Sequence, residues 1–224
     1  MEPLFAKTLE ELKQVAAELQ LPGFTAKQMA DWLYQKKIGS IDEMTNLSKA
    51  ARAVLNQQYT LGLAPYKNVQ SSIDGTKKYL FNTTIGKFVE TAYIPDKDRH
   101  TVCVSTQVGC KMGCLFCMTG KQGFQGNLTS GEILNQLRSI EEWEQVTNIV
   151  YMGMGEPLDN MEAVLKSLEI LTADWGFAMS PRRITVSTIG IIPAMKEFLE
   201  KSEAHLAVSL HSPFESERKM LMPV

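Results

Sequence analysis

The chain has 224 residues, of which 44% are hydrophobic and 21% charged, with a net charge of −2 and a pI near 6.0. These are ordinary values for a soluble globular protein with a sizeable core, either one large domain or a small one attached to a larger one. They give no global sign of nucleic-acid binding, and no apolar run approaches the roughly 18 residues of a membrane span. The charge is uneven: residues 1–126 carry 15 basic and 11 acidic side chains, and residues 127–224 carry 8 and 14. The mildly basic front half could face a polyanion. The start, "MEPLFAKTLEELK", lacks the basic and apolar regions of a signal peptide. A cytoplasmic protein is expected, with reduced thiols and no membrane partner.

The first 62 residues read as a small helical domain. Thr8 and Glu11 form a capping box ahead of the apolar face of Leu9, Leu12, Val15, Ala16 and Leu19. Thr25 and Gln28 repeat the pattern ahead of Met29, Trp32 and Leu33, with Gly39 as a stop, and Ser48 opens a third helix. Residues 63–99 change character. Their β-type residues are broken at Asp74-Gly75 and Gly86-Lys87, which predicts short antiparallel strands forming a linker.

From residue 100 the rhythm is strand, loop, helix. "RHTVCVSTQV" reads as one strand, followed by a cysteine-rich loop and a helix over about 130–143 opened by Thr129 and Glu132. "NIVYMGMGEP" leads to a helix opened by Asp159, "RRITVSTIG" to a helix over about 192–200, and "HLAVSLHS" is a further strand. Repeated βα units predict an α/β fold with a parallel sheet or barrel and right-handed crossovers. Chemistry in such folds gathers at the C-terminal ends of the strands. The series stops at "ERKMLMPV" with no closing helix, so the barrel is expected to be incomplete and the chain an N-terminal portion.

Three of the four cysteines fall within eight residues. Cys110, Cys114 and Cys117 have the spacing C-x3-C-x2-C. Such a set can bind three irons of a [4Fe–4S] cluster and leave the fourth iron open. Alternatively, His100, His205 or His211 could complete a structural zinc site, giving a zinc-stabilised RNA-binding module. Cys103, between Val102 and Val104, reads by itself as a small buried strand residue.

C-x3-C-x2-C with Phe116 before the third cysteine resembles the radical S-adenosylmethionine (SAM) superfamily. "CVSTQVGCKMGCLFCMTGKQGF", "YMGMGEPLDN", "RRITVSTIG" and "LAVSLHSP" together resemble, more narrowly, the RlmN/Cfr family of RNA methyltransferases, and "GFTAKQMADWLY" is similar to that family's accessory domain. The resemblance implies a radical SAM partial barrel over 100–224, with Cys110, Cys114 and Cys117 on a [4Fe–4S] cluster. It implies that Gly155, Glu156, Ser187, Ser209, Leu210 and His211 bind SAM, with Glu90 as proton acceptor and Cys103 as a catalytic cysteine. The implied reaction is methylation of adenine C2 in 23S rRNA and tRNA by a monomeric enzyme. In it a second cysteine near the C-terminus carries the methyl group, and Cys103 resolves the RNA adduct in a disulfide with that cysteine. No cysteine follows Cys117. Cfr-type methylation at C8 is compatible with the same motifs.

Overall fold

The structure is a computed structural model that describes all 224 residues. They form two compact units, residues 1–63 with 166–179 and residues 64–165 with 180–224. In chain order the elements are β1 (Glu2–Pro3), α1 (Leu9–Glu18), α2 (Thr25–Ala30), α3 (Lys49–Gln58), β2 (Tyr59–Thr60), β3 (Asn68–Ser71), β4 (Lys77–Asn82), β5 (Phe88–Asp96), β6 (Arg99–Cys103) and β7 (Gln107–Val108). There follow α4 (Met118–Gln122), β8 (Gly126–Asn127), α5 (Ser130–Arg138), β9 (Asn148–Tyr151), α6 (Met161–Thr172), β10 (Ile184–Thr188), α7 (Ile192–Lys201), β11 (His205–Val208) and α8 (Glu215–Leu221). No helix is long and apolar enough to cross a membrane.

In the first unit α1 opens with the expected capping box, and Ser48 caps α3 by accepting from the Ala51 N–H at 3.1 Å. Thr25 does not act as a cap: it is buried inside α2, whose N-cap is Phe24. The helix then widens into a π turn over Asp31–Gln35 and ends before Gly39. Tyr34, on that turn, packs against Phe5, Trp175 and Phe177, and its hydroxyl donates to the Lys7 carbonyl.

The second unit is built on a seven-stranded sheet of order β11-β10-β9-β6-β5-β4-β3. β6, β9, β10 and β11 run parallel, whereas β3, β4 and β5 are antiparallel, so the fold is mixed α/β and the strands do not close into a barrel. The antiparallel strands read as a linker therefore continue the same sheet. One face, with Tyr93, Val102, Ile149 and Ile184 in register, is buried. On the other face one transverse row crosses all seven strands: Gln70, Lys78, Ala92, Cys103, Val150, Thr185 and His205. None of these seven is fully buried.

Four boundaries differ from the sequence reading. "RHTVCVSTQV" is two strands, because β7 leaves the main sheet and pairs with β8. α5 ends at Arg138 rather than Trp143. Asp159 lies within a 3-10 turn over Pro157–Asn160, and the helix starts at Met161. Finally, "ERKML" belongs to a helix, α8, where none was expected.

Candidate functional site

The cysteine loop is pinched shut at its base. β7 and β8 pair antiparallel through Gln107↔Asn127 and Val108↔Gly126, so residues 109–125 leave and return at one point. Gly109 makes the turn possible. Its φ is +73°, and a side chain there would collide with the Gly123 backbone. Cys110, Cys114 and Cys117 project from this loop into a cleft of about 230 Å³ at the C-terminal ends of β9, β10 and β11.

Glu156 lines the same cleft. Its side chain is buried, with the residue only 5% exposed. The carboxylate accepts the Leu158 N–H at 3.0 Å and the Ile189 N–H at 2.8 Å. It therefore joins the loop after β9 to the loop after β10, with lone pairs left for a ligand. Gly155 precedes it with φ +98°, and a Cβ there would press into the Gln107 side chain. Gln107 accepts the Glu156 N–H at 2.9 Å and donates to Asp159 at 2.7 Å, and Asp159 pairs with Lys111 of the cysteine loop at 2.8 Å. On the other side the Arg218 guanidinium donates to the Ile189 carbonyl. The Leu115 N–H, in the cysteine loop, donates to the Leu221 carbonyl at 3.0 Å. The contacts thus form a closed circuit: cysteine loop, Asp159, Gln107, Glu156, Ile189, α8, and back to the cysteine loop.

The remaining candidates divide into two groups. Ser187, Ser209 and His211 line the same cleft. His211 sits at φ +56° with its ring 4.5 Å from that of Phe116. The Leu210 side chain is exposed and is not part of the wall. Cys103 and Glu90 lie outside the cleft, on the open face of the sheet. Cys103 pairs in register with Ala92. Glu90, two residues before Ala92, is a diagonal neighbour at roughly 7–8 Å between Cα atoms. Glu90 pairs with Lys78 at 3.0 Å with about half its side chain exposed. His100 bonds the Tyr93 hydroxyl through Nδ1, and His205 is exposed on β11.

All four cysteines are free thiols. The disulfide implied by the resemblance therefore has no support within this chain. Burial pushes the Cys103 thiol above the ordinary range, opposed by the Met152 backbone. Burial also raises Cys110 and Cys114; Glu156 and the neighbouring thiols add to the effect by disfavouring another negative charge. A bound cation would reverse that balance.

Sequence reading missed Gln107, Lys111, Arg218 and Met222. Gln107 carried a weak signal, a polar residue at the close of an apolar strand. Arg218 and Met222 carried none, because the helix that presents them was not expected.

Residues 104–223 match the Radical SAM superfamily, and residues 3–61 match the ribosomal RNA large subunit methyltransferase N-terminal domain. The chain is 61% identical over 221 residues to a probable dual-specificity RNA methyltransferase RlmN of Parabacteroides distasonis, and 45% identical over 217 residues to the RlmN of Geotalea uraniireducens. It covers 99% and 97% of itself in these matches but 64% and 63% of the relatives, so it spans less than two thirds of their length. A radical SAM methyltransferase from Sphaerobacter thermophilus superposes with a TM-score of 0.92 at 39% identity, covering all of this chain and 67% of that one. The chain belongs to the radical SAM superfamily and, within it, to the RlmN family.

That family uses a [4Fe–4S] cluster and SAM. The cleft fits both. Its donor set is three thiols on one wall, and a buried carboxylate with free lone pairs faces the space beside them.

Proposed function

We propose that this chain carries the cofactor-binding part of an enzyme that methylates C2 of adenine in 23S rRNA and tRNA. The observation that carries the reading is the convergence of Cys110, Cys114, Cys117 and Glu156 on one cleft at the C-terminal ends of parallel strands. In this reading the three cysteines hold the cluster and Glu156 accepts from the ammonium of SAM. Gly155, Ser187, Ser209, Leu210 and His211 form the rest of the SAM-binding loops, with Leu210 contributing backbone. Cys110, Cys114 and Cys117 would hold a cluster that, when bound, would supply single-electron reducing chemistry to SAM. Adenine C2 lies between two ring nitrogens and is electron-poor, which is why an ordinary methyl transfer to it is unfavourable and a radical is needed.

Cys103 and Glu90 share the open face of the sheet, where in this reading the substrate base would be presented. There Glu90 would take up a proton and Cys103 would help release the RNA from its adduct with the enzyme.

Anaerobic reconstitution tests the reading. The protein should bind close to four irons per chain, the content of one cuboidal cluster, and Cys114→Ala should abolish binding. Stoichiometric zinc without iron would overturn it in favour of a zinc-stabilised module.

A further inference from the structure

α8 braces the cleft from a place the known motifs do not reach. Its last carbonyl, Leu221, accepts from the cysteine loop, and the next residue, Met222, is buried and lines the cleft beside the cysteines. Pro223 lies against Gly113, at 3.7 Å from where a Cβ would stand. One turn earlier, half-buried Arg218 reaches the Ile189 carbonyl. Ile189 is therefore gripped from both sides, with its N–H on Glu156 and its carbonyl on Arg218. The charged neighbours of Arg218 are engaged elsewhere: Glu217 accepts from the Ser212 hydroxyl at 2.7 Å, and Lys219 pairs with Glu215 at 2.6 Å. One bond to a neutral carbonyl leaves the guanidinium charge uncompensated and most of its donors free.

We propose that Arg218 is a positioning residue of the cleft, fixing the Ile189 arm that carries the Glu156 carboxylate and placing a positive charge beside the cysteine loop that favours the reduced cluster. This rests on the cluster reading above. A [4Fe–4S] core of charge 2+ with three thiolates is a monoanion. One-electron reduction by an external low-potential reductant such as dithionite makes it a dianion, with no proton taken up. A fixed cation nearby stabilises the second state more than the first, so it raises the reduction potential.

The test compares cluster-loaded parent protein with Arg218→Gln and Arg218→Lys by redox titration followed by electron paramagnetic resonance, and by SAM binding. Arg218→Gln should hold its iron, show a more negative midpoint potential and bind SAM roughly tenfold more weakly, the scale of one charge-assisted hydrogen bond. Arg218→Lys, with its charge kept, should titrate close to the parent. An unchanged potential in an iron-replete Gln variant would overturn the proposal. If the Gln variant cannot hold iron, the Lys variant decides: a parental potential supports the role of charge, and a clearly more negative one refutes it. Failure of the parent itself to bind iron would sink the functional reading instead, so the two failures are distinguishable.

Discussion

At the residue scale, Glu156 has two tasks that are usually separate. Its carboxylate satisfies two backbone N–H groups in a nearly dry environment, and in the proposed function it is also the acceptor for the SAM ammonium. Glu156→Ala should therefore cost about 1.5–3 kcal/mol of fold stability in urea denaturation, besides weakening SAM binding. Full stability in that variant would show that the two N–H groups find other partners. Cys103 gives a pH prediction. Burial raises its folded pKa, so folding favours the protonated thiol. Its contribution is present below the ordinary thiol pKa of about 8.5 and is lost as pH rises toward the folded value. Iodoacetamide should accordingly modify Cys103 more slowly in the folded, cluster-free protein than in the urea-unfolded chain at pH 8–9. Equal rates would place Cys103 in open solvent.

At the scale of elements, legibility follows locality. Capping boxes at Thr8/Glu11 and Thr129/Glu132 were readable because both partners lie within four residues, and the structure shows both reciprocal bonds. The turn at Asp74-Gly75 was readable for the same reason, with Gly75 at φ +84° and the Thr76 N–H on the Asp74 carboxylate. Thr25 and Gln28 show where this breaks down. The same spacing sits beside Phe24, which starts the helix and leaves Thr25 buried inside it. The cleft was half legible. Its cysteines and Gly155-Glu156 form compact motifs, but Gln107, Arg218 and Met222 join it through contacts spanning 29 to more than 100 residues. No periodicity encodes these. The fully buried Gln136 on α5 is another such case, accepting from Thr91 at 2.6 Å and from the Ser105 N–H at 2.8 Å. Because α5 carries Gln136, its cap matters to the sheet. Thr129→Ala should lower thermal stability by about 1 kcal/mol, as for other N-cap losses, while Thr129→Ser should restore most of it. A neutral Thr129→Ala change would show that Glu132 alone secures the helix end.

At the scale of the whole molecule, two compact units need not melt as one. The candidate cleft and every residue of the circuit around it lie within the second unit, residues 64–165 and 180–224. The aromatic core of Tyr34, Trp175 and Phe177 lies within the first. A ligand that binds only the folded state stabilises the unit that holds its site, by about 2.7 kcal/mol at 100 times Kd. SAM added at that excess to the cluster-loaded protein should therefore raise the melting transition of the second unit and leave the first in place. Tryptophan fluorescence separates them. Trp143 belongs to the second unit, where the Arg138 guanidinium lies 4.4 Å over its ring, whereas Trp32 and Trp175 belong to the first. Trp143→Phe leaves only the first unit's reporters, and their transition should not move with SAM. The double variant Trp32→Phe/Trp175→Phe leaves Trp143 alone, and its transition should rise. Equal shifts in both variants would mean that the units unfold cooperatively, and a shift confined to Trp32 and Trp175 would place the SAM site outside the cleft.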